Sequence, residues 1–218
     1  RWYRLAAEQG YSEGQFNLGF RYANGEGVAP NVVEAVRWFR VGAAQGHADA
    51  QNGLGVMYAS GRGVPQDDAE AVRWYRLAAD QGDGNAQFRL GGMYKNGKGV
   101  KQNYVEAARW YRLAAEQGHG NAMFTLGAIY KDGEGVLPDE AEAVRWYRLA
   151  AEQGFDLALS NLGFLYFERA DYVQAYLWFN RYSSRLPPDW PAESRTGFRD
   201  MTYERLTPEQ RSEVQRLV

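Results

Sequence analysis

Four groups of residues in this chain have types that could do chemistry. The segment GMYKNGKG, Gly92 to Gly99, fits the G-x-x-x-x-G-K pattern of a phosphate-cradling loop. Such a loop needs Ser or Thr after its lysine to hold magnesium, and a strand before it. Here Gly99 follows Lys98, and the residues before the loop have helical spacing, so no nucleotide site is expected. His47 and His119 could ligate zinc or act as bases, but they stand far apart, with no cysteine and no third histidine in the chain. They are expected in turns. Asp67 and Asp68 could form a general acid/base pair, yet they fall where a helix begins, and capping accounts for them. Arg37, Arg40, Arg73, Arg76, Arg109, Arg112, Arg145 and Arg148 form a basic series that could meet nucleic acid. Acids answer it at helical spacing: Glu34, Glu70, Glu106 and Glu142 at i−3, and Asp80, Glu116 and Glu152 at i+4 from Arg76, Arg112 and Arg148. A solvated, ion-paired helix face is expected. None of the four supplies a nucleophile with its base and orienting group, so no catalytic residue, metal or cofactor is expected.

The elements that carry these residues repeat. Trp2, Trp38, Trp74, Trp110 and Trp146 recur every 36 residues, as do Leu18, Leu54, Leu90, Leu126 and Leu162. In "AVRWYRLAAEQG", Ala143, Trp146, Tyr147, Ala150 and Ala151 fall on one helix face, which is expected to be buried with the other tryptophans and alanines. Asn31/Glu34, Asp67/Glu70, Asn103/Glu106 and Asp139/Glu142 open this helix with the spacing of a capping box, and the glycine of "QG" closes it. A preceding helix carries LGxxY, whose glycine permits close helix approach. It is followed by a loop with two glycines and a valine, as in Gly61, Gly63 and Val64. Of the 25 glycines, 18 occupy these repeated positions, so their abundance is structural. Each repeat is thus a helix hairpin, and hairpins must stack to bury both faces.

Composition agrees with this. The 218 residues are 45% hydrophobic and 15% aromatic, ample for a core, and the net charge of −2 gives no bulk attraction for nucleic acid. No apolar run approaches the roughly 18 residues of a membrane span, so no membrane insertion is expected. The absence of cysteine suits a cytoplasmic or an exported protein equally. Arg1 already lies inside a repeat, so the N-terminus is read as non-native, with any signal peptide or further repeat upstream.

The pattern LGxxYxxGxGVxxDxxxAxxWYxxAAxQG resembles the Sel1-like repeat, a relative of the tetratricopeptide repeat. The resemblance covers a partial repeat at 1–10, full repeats at about 11–47, 48–83, 84–119 and 120–155, and a shortened one at 156–182 that keeps Leu162, Gly163 and Tyr166 but loses the glycine loop. Residues 183–218 are read as a helical cap, with Thr207 as N-cap, Pro208 at the first helical position and Gln210 at N3. The fold expected is an all-α, right-handed α-solenoid (α/α superhelix) of 36-residue helix hairpins with a C-terminal capping helix. Aligning LGxxY with tetratricopeptide positions implies a concave groove carrying Phe16, Phe20, Asn52, Phe88, Lys95, Asn96, Phe124, Lys131 and Asp132. Phenylalanine anchors beside lysines suit an extended peptide, although Phe88 and Phe124 equally suit packing between helices. The resemblance implies a bacterial protein–protein interaction scaffold, monomeric and non-catalytic, with an unknown protein or peptide partner. Glycan binding by ring stacking is the alternative. The cysteine-rich, β-lactam-associated branch of the family is not matched, since the chain has no cysteine.

Overall fold

A computed structural model describes residues 2–218, except for the side chains of residues 192–195. Among the described residues it contains thirteen helices and no strand, an all-α repeat fold of the solenoid class. The chain divides into two compact bodies, residues 1–119 and 120–218. The first holds α1 (Trp2–Glu8), α2 (Ser12–Asn24), α3 (Val32–Ala44), α4 (Ala48–Ser60), α5 (Asp68–Asp80), α6 (Gly84–Asn96) and α7 (Tyr104–Glu116). The second holds α8 (Gly120–Asp132), α9 (Glu140–Glu152), α10 (Asp156–Glu168), α11 (Tyr172–Arg185), α12 (Ala192–Glu204) and α13 (Pro208–Leu217). The pairs α2/α3, α4/α5, α6/α7, α8/α9 and α10/α11 are the expected hairpins, and α3 packs on α4, α5 on α6 and α9 on α10.

The glycine of LGxxY works by close approach. A Cβ on Gly55 would stand 2.7 Å from the ring of Tyr75, so α4 and α5 touch where a larger residue would hold them apart. Tyr75, Tyr111 and Tyr147 are buried, and Phe39 fills the same place. The tryptophans depart from expectation. Trp110 and Trp146 are buried, Trp38 and Trp74 are half-buried, and Trp2 is 81% exposed. Each of Trp38, Trp74, Trp110 and Trp146 has the preceding arginine over its ring, at 5.2, 5.4, 4.9 and 4.8 Å. The core common to all four hairpins is therefore the next aromatic and the alanines, and Trp110 and Trp146 join it.

Caps differ from expectation in a revealing way. Asn31, Asp67, Asn103 and Asp139 accept the N3 amide, as the spacing implies. The reciprocal half of the box is absent there, because each N-cap N–H already donates to the LGxxY tyrosine carbonyl of its own hairpin, Asn31 to Tyr22 at 2.9 Å and Asp67 to Tyr58 at 3.0 Å, for example. Glu34, Glu70, Glu106 and Glu142 are thus released to pair with Arg37, Arg73, Arg109 and Arg145. The i−3 half of the arginine reading is observed. At i+4, no ion pair of Arg76 with Asp80 or of Arg148 with Glu152 is found among the described residues; Arg76 and Arg148 donate instead to the tyrosine hydroxyls of the following hairpin, Tyr94 and Tyr166, as Arg40 does to Tyr58. Thr207 and Gln210 form a complete capping box on α13. The additional helix α12 precedes it.

Neighbouring hairpins are also joined by buried glutamines. Gln51 donates to the Ala43 carbonyl at 3.3 Å and accepts from Gln81 at 2.7 Å. Gln15 with Gln45, and Gln87 with Gln117, repeat the arrangement at 2.7 Å. In the second body the same position holds buried Met123 and Leu159.

Candidate binding cleft

Helices α2, α4 and α6 present side chains at i, i+3 and i+4 spacing to a cleft of about 330 Å³ in the first body. Phe16 and Phe20 come from α2, Asp49 and Asn52 from α4, and Asn85 and Arg89 from α6, while Arg62 enters from the α4–α5 loop. The rings of Phe16 and Phe20 lie 6.1 Å apart, and Phe16 also meets Phe39 at 6.1 Å and stacks on His47 at 5.5 Å. Phe16 is half-buried, whereas Phe20 is 43% exposed. The two rings form an apolar wall with one open face.

Polar groups close the rest. Arg62 donates to the Ala23 carbonyl at 2.9 Å, satisfying the C-terminal end of α2 and fixing the guanidinium at the rim. The side-chain carbonyl of Asn52 is buried and finds no hydrogen-bond partner among the described residues. His47 caps α4 by accepting the Ala50 amide on Nδ1, and its Nε2 lies 3.0 Å from Glu13. That contact, helped by Asn17, holds the Glu13 carboxyl below its ordinary range. Asp49 is exposed at the rim, yet partial desolvation and then the neighbouring Asp83 carboxylate push its carboxyl up. The His119 ring stacks on Phe88 at 4.8 Å, and burial depresses its pKa. Both histidines thus lie where chain turns meet first helices. Among the described residues, no three His, Cys, Asp or Glu side chains are grouped to hold a metal.

Of the groove positions read from sequence, Phe16, Phe20 and Asn52 are gathered here. Phe88 instead packs on Tyr111, 5.5 Å between rings, and on His119. Lys95 is half-buried and Asn96 exposed near the end of α6, where the Asn96 amide donates to the Gly92 carbonyl at 2.9 Å. In the second body Phe124 is half-buried against Tyr147 at 5.7 Å, while Lys131 and Asp132 are exposed at the end of α8. Asp49, Arg62, Asn85 and Arg89 escaped the sequence reading. Three of them had a signal: Asp49 and Asn85 lie five residues before the LGxxY leucine and Arg89 one before it, positions that vary from repeat to repeat on the face of Asn52.

The Sel1 repeat is matched by residues 1–11, 12–47, 48–83, 84–119, 120–155 and 156–181. No curated protein is significantly similar to the chain. Among solved structures, c5321, a protective antigen of uropathogenic Escherichia coli with an SLR fold, is 36% identical with a TM-score of 0.75 over 98% of this chain. This chain spans about half of that one, 49%. A Sel1 repeat protein from Oxalobacter formigenes is 30% identical with a TM-score of 0.77, over 91% of this chain and 89% of that one. The immunity protein Pa5087 of Pseudomonas aeruginosa, at 17% identity, TM-score 0.54 and coverage of 89% and 80%, shares the fold. Among the described residues, no helix is long and apolar enough to cross a membrane.

Proposed function

The chain belongs to the Sel1 repeat family, whose members are generally protein-interaction scaffolds, and we propose on that footing that it is a non-catalytic adaptor holding an extended segment of a partner protein in the α2–α4–α6 cleft. The observation that carries this reading is Asn52. A buried acceptor without a partner costs roughly 1–3 kcal/mol, and here it stands in the wall of a cleft whose other wall is the half-open pair Phe16 and Phe20. An extended peptide brings what is missing: backbone N–H donors at regular spacing, and side chains alternating toward the rings. The terminal torsion of Asn52 is soft, so its carbonyl turns to such a donor at little cost. Arg62 and Arg89 stand where the segment's carbonyls or acidic side chains would lie. Phe88 and Phe124 pack on Tyr111 and Tyr147, and Lys95 and Asn96 remain candidates for contact at the end of α6.

The test is selection from a phage-displayed random-peptide library, followed by anisotropy titration of one enriched synthetic peptide. Phe20→Ala and Asn52→Ala each weaken it by about tenfold with unchanged far-UV circular dichroism. Failure to enrich any peptide, or equal binding by wild type and both variants, overturns the cleft assignment.

A further inference from the structure

The fifth hairpin, α10/α11, departs from the repeat where charge is concerned. Relative to its tryptophan, each regular second helix from α3 to α9 carries Glu four residues before, Arg one before, an aliphatic residue three after and Gln seven after. Around Trp178 these become Gln174, Leu177, Arg181 and Arg185, and the acid found six after the tryptophan in α5, α7 and α9 becomes Ser184. The glutamate–arginine pair of the other helices is lost, their second arginine, two after the tryptophan, becomes Asn180, and two arginines stand at new positions with no acid in the helix to offset them. No acidic residue remains in α11, and neither Arg181 nor Arg185 makes an ion pair with a described carboxylate.

These arginines line a cleft of about 660 Å³ with Arg148, Trp178, Ser184 and Leu159. Arg148 from α9 and Arg181 both lie over the Trp178 ring, at 5.6 and 4.9 Å, and Arg148 donates to Tyr166 at 2.9 Å. Ring and hydroxyl hold the guanidinium of Arg148, and the ring holds that of Arg181, so two cations are positioned before any ligand arrives. Among the described lining residues Glu152 is the one acid against three arginines, a net charge of +2.

We propose that this cleft is a second binding site, separate from the α2–α4–α6 cleft, that takes the carboxylates of an acidic peptide segment. Fixed guanidinium forks match carboxylate geometry in bidentate fashion. Charge complementarity therefore names the occupant, and its proximity to Glu152 favours singly charged carboxylates over phosphate dianions. The site does not depend on Asn52 or Phe20.

The probe is the fluorescein-labelled, C-terminally amidated peptide Ala-Glu-Ala-Glu-Ala-Glu, titrated by anisotropy against the whole chain, with its Gln counterpart as control. Saturable sub-millimolar binding of the Glu peptide is expected, and none of the Gln peptide. Arg181→Leu with Arg185→Gln, which restores residues used by the regular helices, lowers affinity at least about tenfold. Ser184→Glu, which restores their acid, does the same by internal neutralisation. Both changes are at exposed positions, so helicity stays constant. Arg37→Gln with Arg73→Gln, equally exposed but paired, leaves binding unchanged. Equal affinity of wild type and the Arg181/Arg185 variant, equal binding of both peptides, or displacement by equimolar inorganic phosphate overturns the proposal. Loss of cleft binding through Asn52→Ala leaves this titration unmoved, so failure of one site is told apart from failure of the other.

Discussion

Replacing Gln87 by methionine tests whether the glutamine ladder is a register device or an exchangeable filler. Gln87 is 4% exposed, donates to the Ala79 carbonyl at 3.2 Å and accepts from Gln117 at 2.7 Å. Two hydrogen bonds at a net 0.5–1.5 kcal/mol each amount to about 1–3 kcal/mol. The change orphans no buried group. The Ala79 carbonyl keeps the Gly82 amide at 3.0 Å, and Gln117 keeps the Leu113 carbonyl at 3.3 Å with its side chain exposed. Methionine also returns apolar burial of roughly 1.5–3 kcal/mol in a position where Met123 already packs. The two amounts nearly cancel, so Gln87→Met is expected within about 1 kcal/mol of wild type. Gln87→Ala loses the bonds without refilling the space and costs about 2–4 kcal/mol. Urea titration followed by circular dichroism measures both through the midpoint at constant slope. Equal destabilisation by methionine and alanine would refute the argument and make the paired amides specific holders of register.

Gly55→Ala puts a methyl 2.7 Å from the Tyr75 ring and is expected to lower stability by about 1–3 kcal/mol in the same titration; an unchanged midpoint would mean that α4 and α5 separate freely. Thr207→Ala removes the capping box of α13 and is expected to cost about 1 kcal/mol, read as a lower melting temperature. Asp49 has a folded pKa raised above 3.8, so the folded state holds its proton more tightly and stability falls as pH rises through that range; Asp49→Asn therefore gains stability at pH 7 and loses the gain below about pH 3.8, a difference checked by urea titrations at both pH values. Lys95→Glu leaves far-UV ellipticity unchanged, and its effect on a cleft-selected peptide shows whether contact extends to the end of α6.

Hairpins, periodic core and capped helix starts were legible because one stacking solution is written repeatedly, with Leu54, Gly55 and Tyr75 recurring at fixed spacing. The side-chain bonds between helices were not. Arg40 meets Tyr58 at a sequence separation of 18, and Gln51 meets Gln81 at 30, distances at which no helical periodicity predicts a partner. Nor did the box spacing of Asn31 and Glu34 reveal that the Tyr22 carbonyl already uses the N-cap donor. At the cleft, aligning on LGxxY found Phe16, Phe20 and Asn52, which lie within two residues of the leucine. Asp49 and Asn85 lie a further turn back, and Arg62 arrives from a loop whose path the helix pattern does not carry.

The regular repeats pair their charged side chains internally. In α3, α5, α7 and α9 the glutamate is bound to arginine, and the arginine lies over tryptophan. A partner approaching that face must displace contacts already made, and exposed pairs of this kind yield little in exchange. Binding capacity is left where the internal pairing is broken. Asn52 stands where other repeats carry phenylalanine or serine, and its carbonyl finds no partner among the described residues. Arg181 and Arg185 stand where aliphatic and amide residues belong, with Ser184 in place of an acid. Restoring the repeat residues at either place should preserve the fold and remove a ligand, which separates recognition from architecture in a chain where nearly every other residue serves the latter.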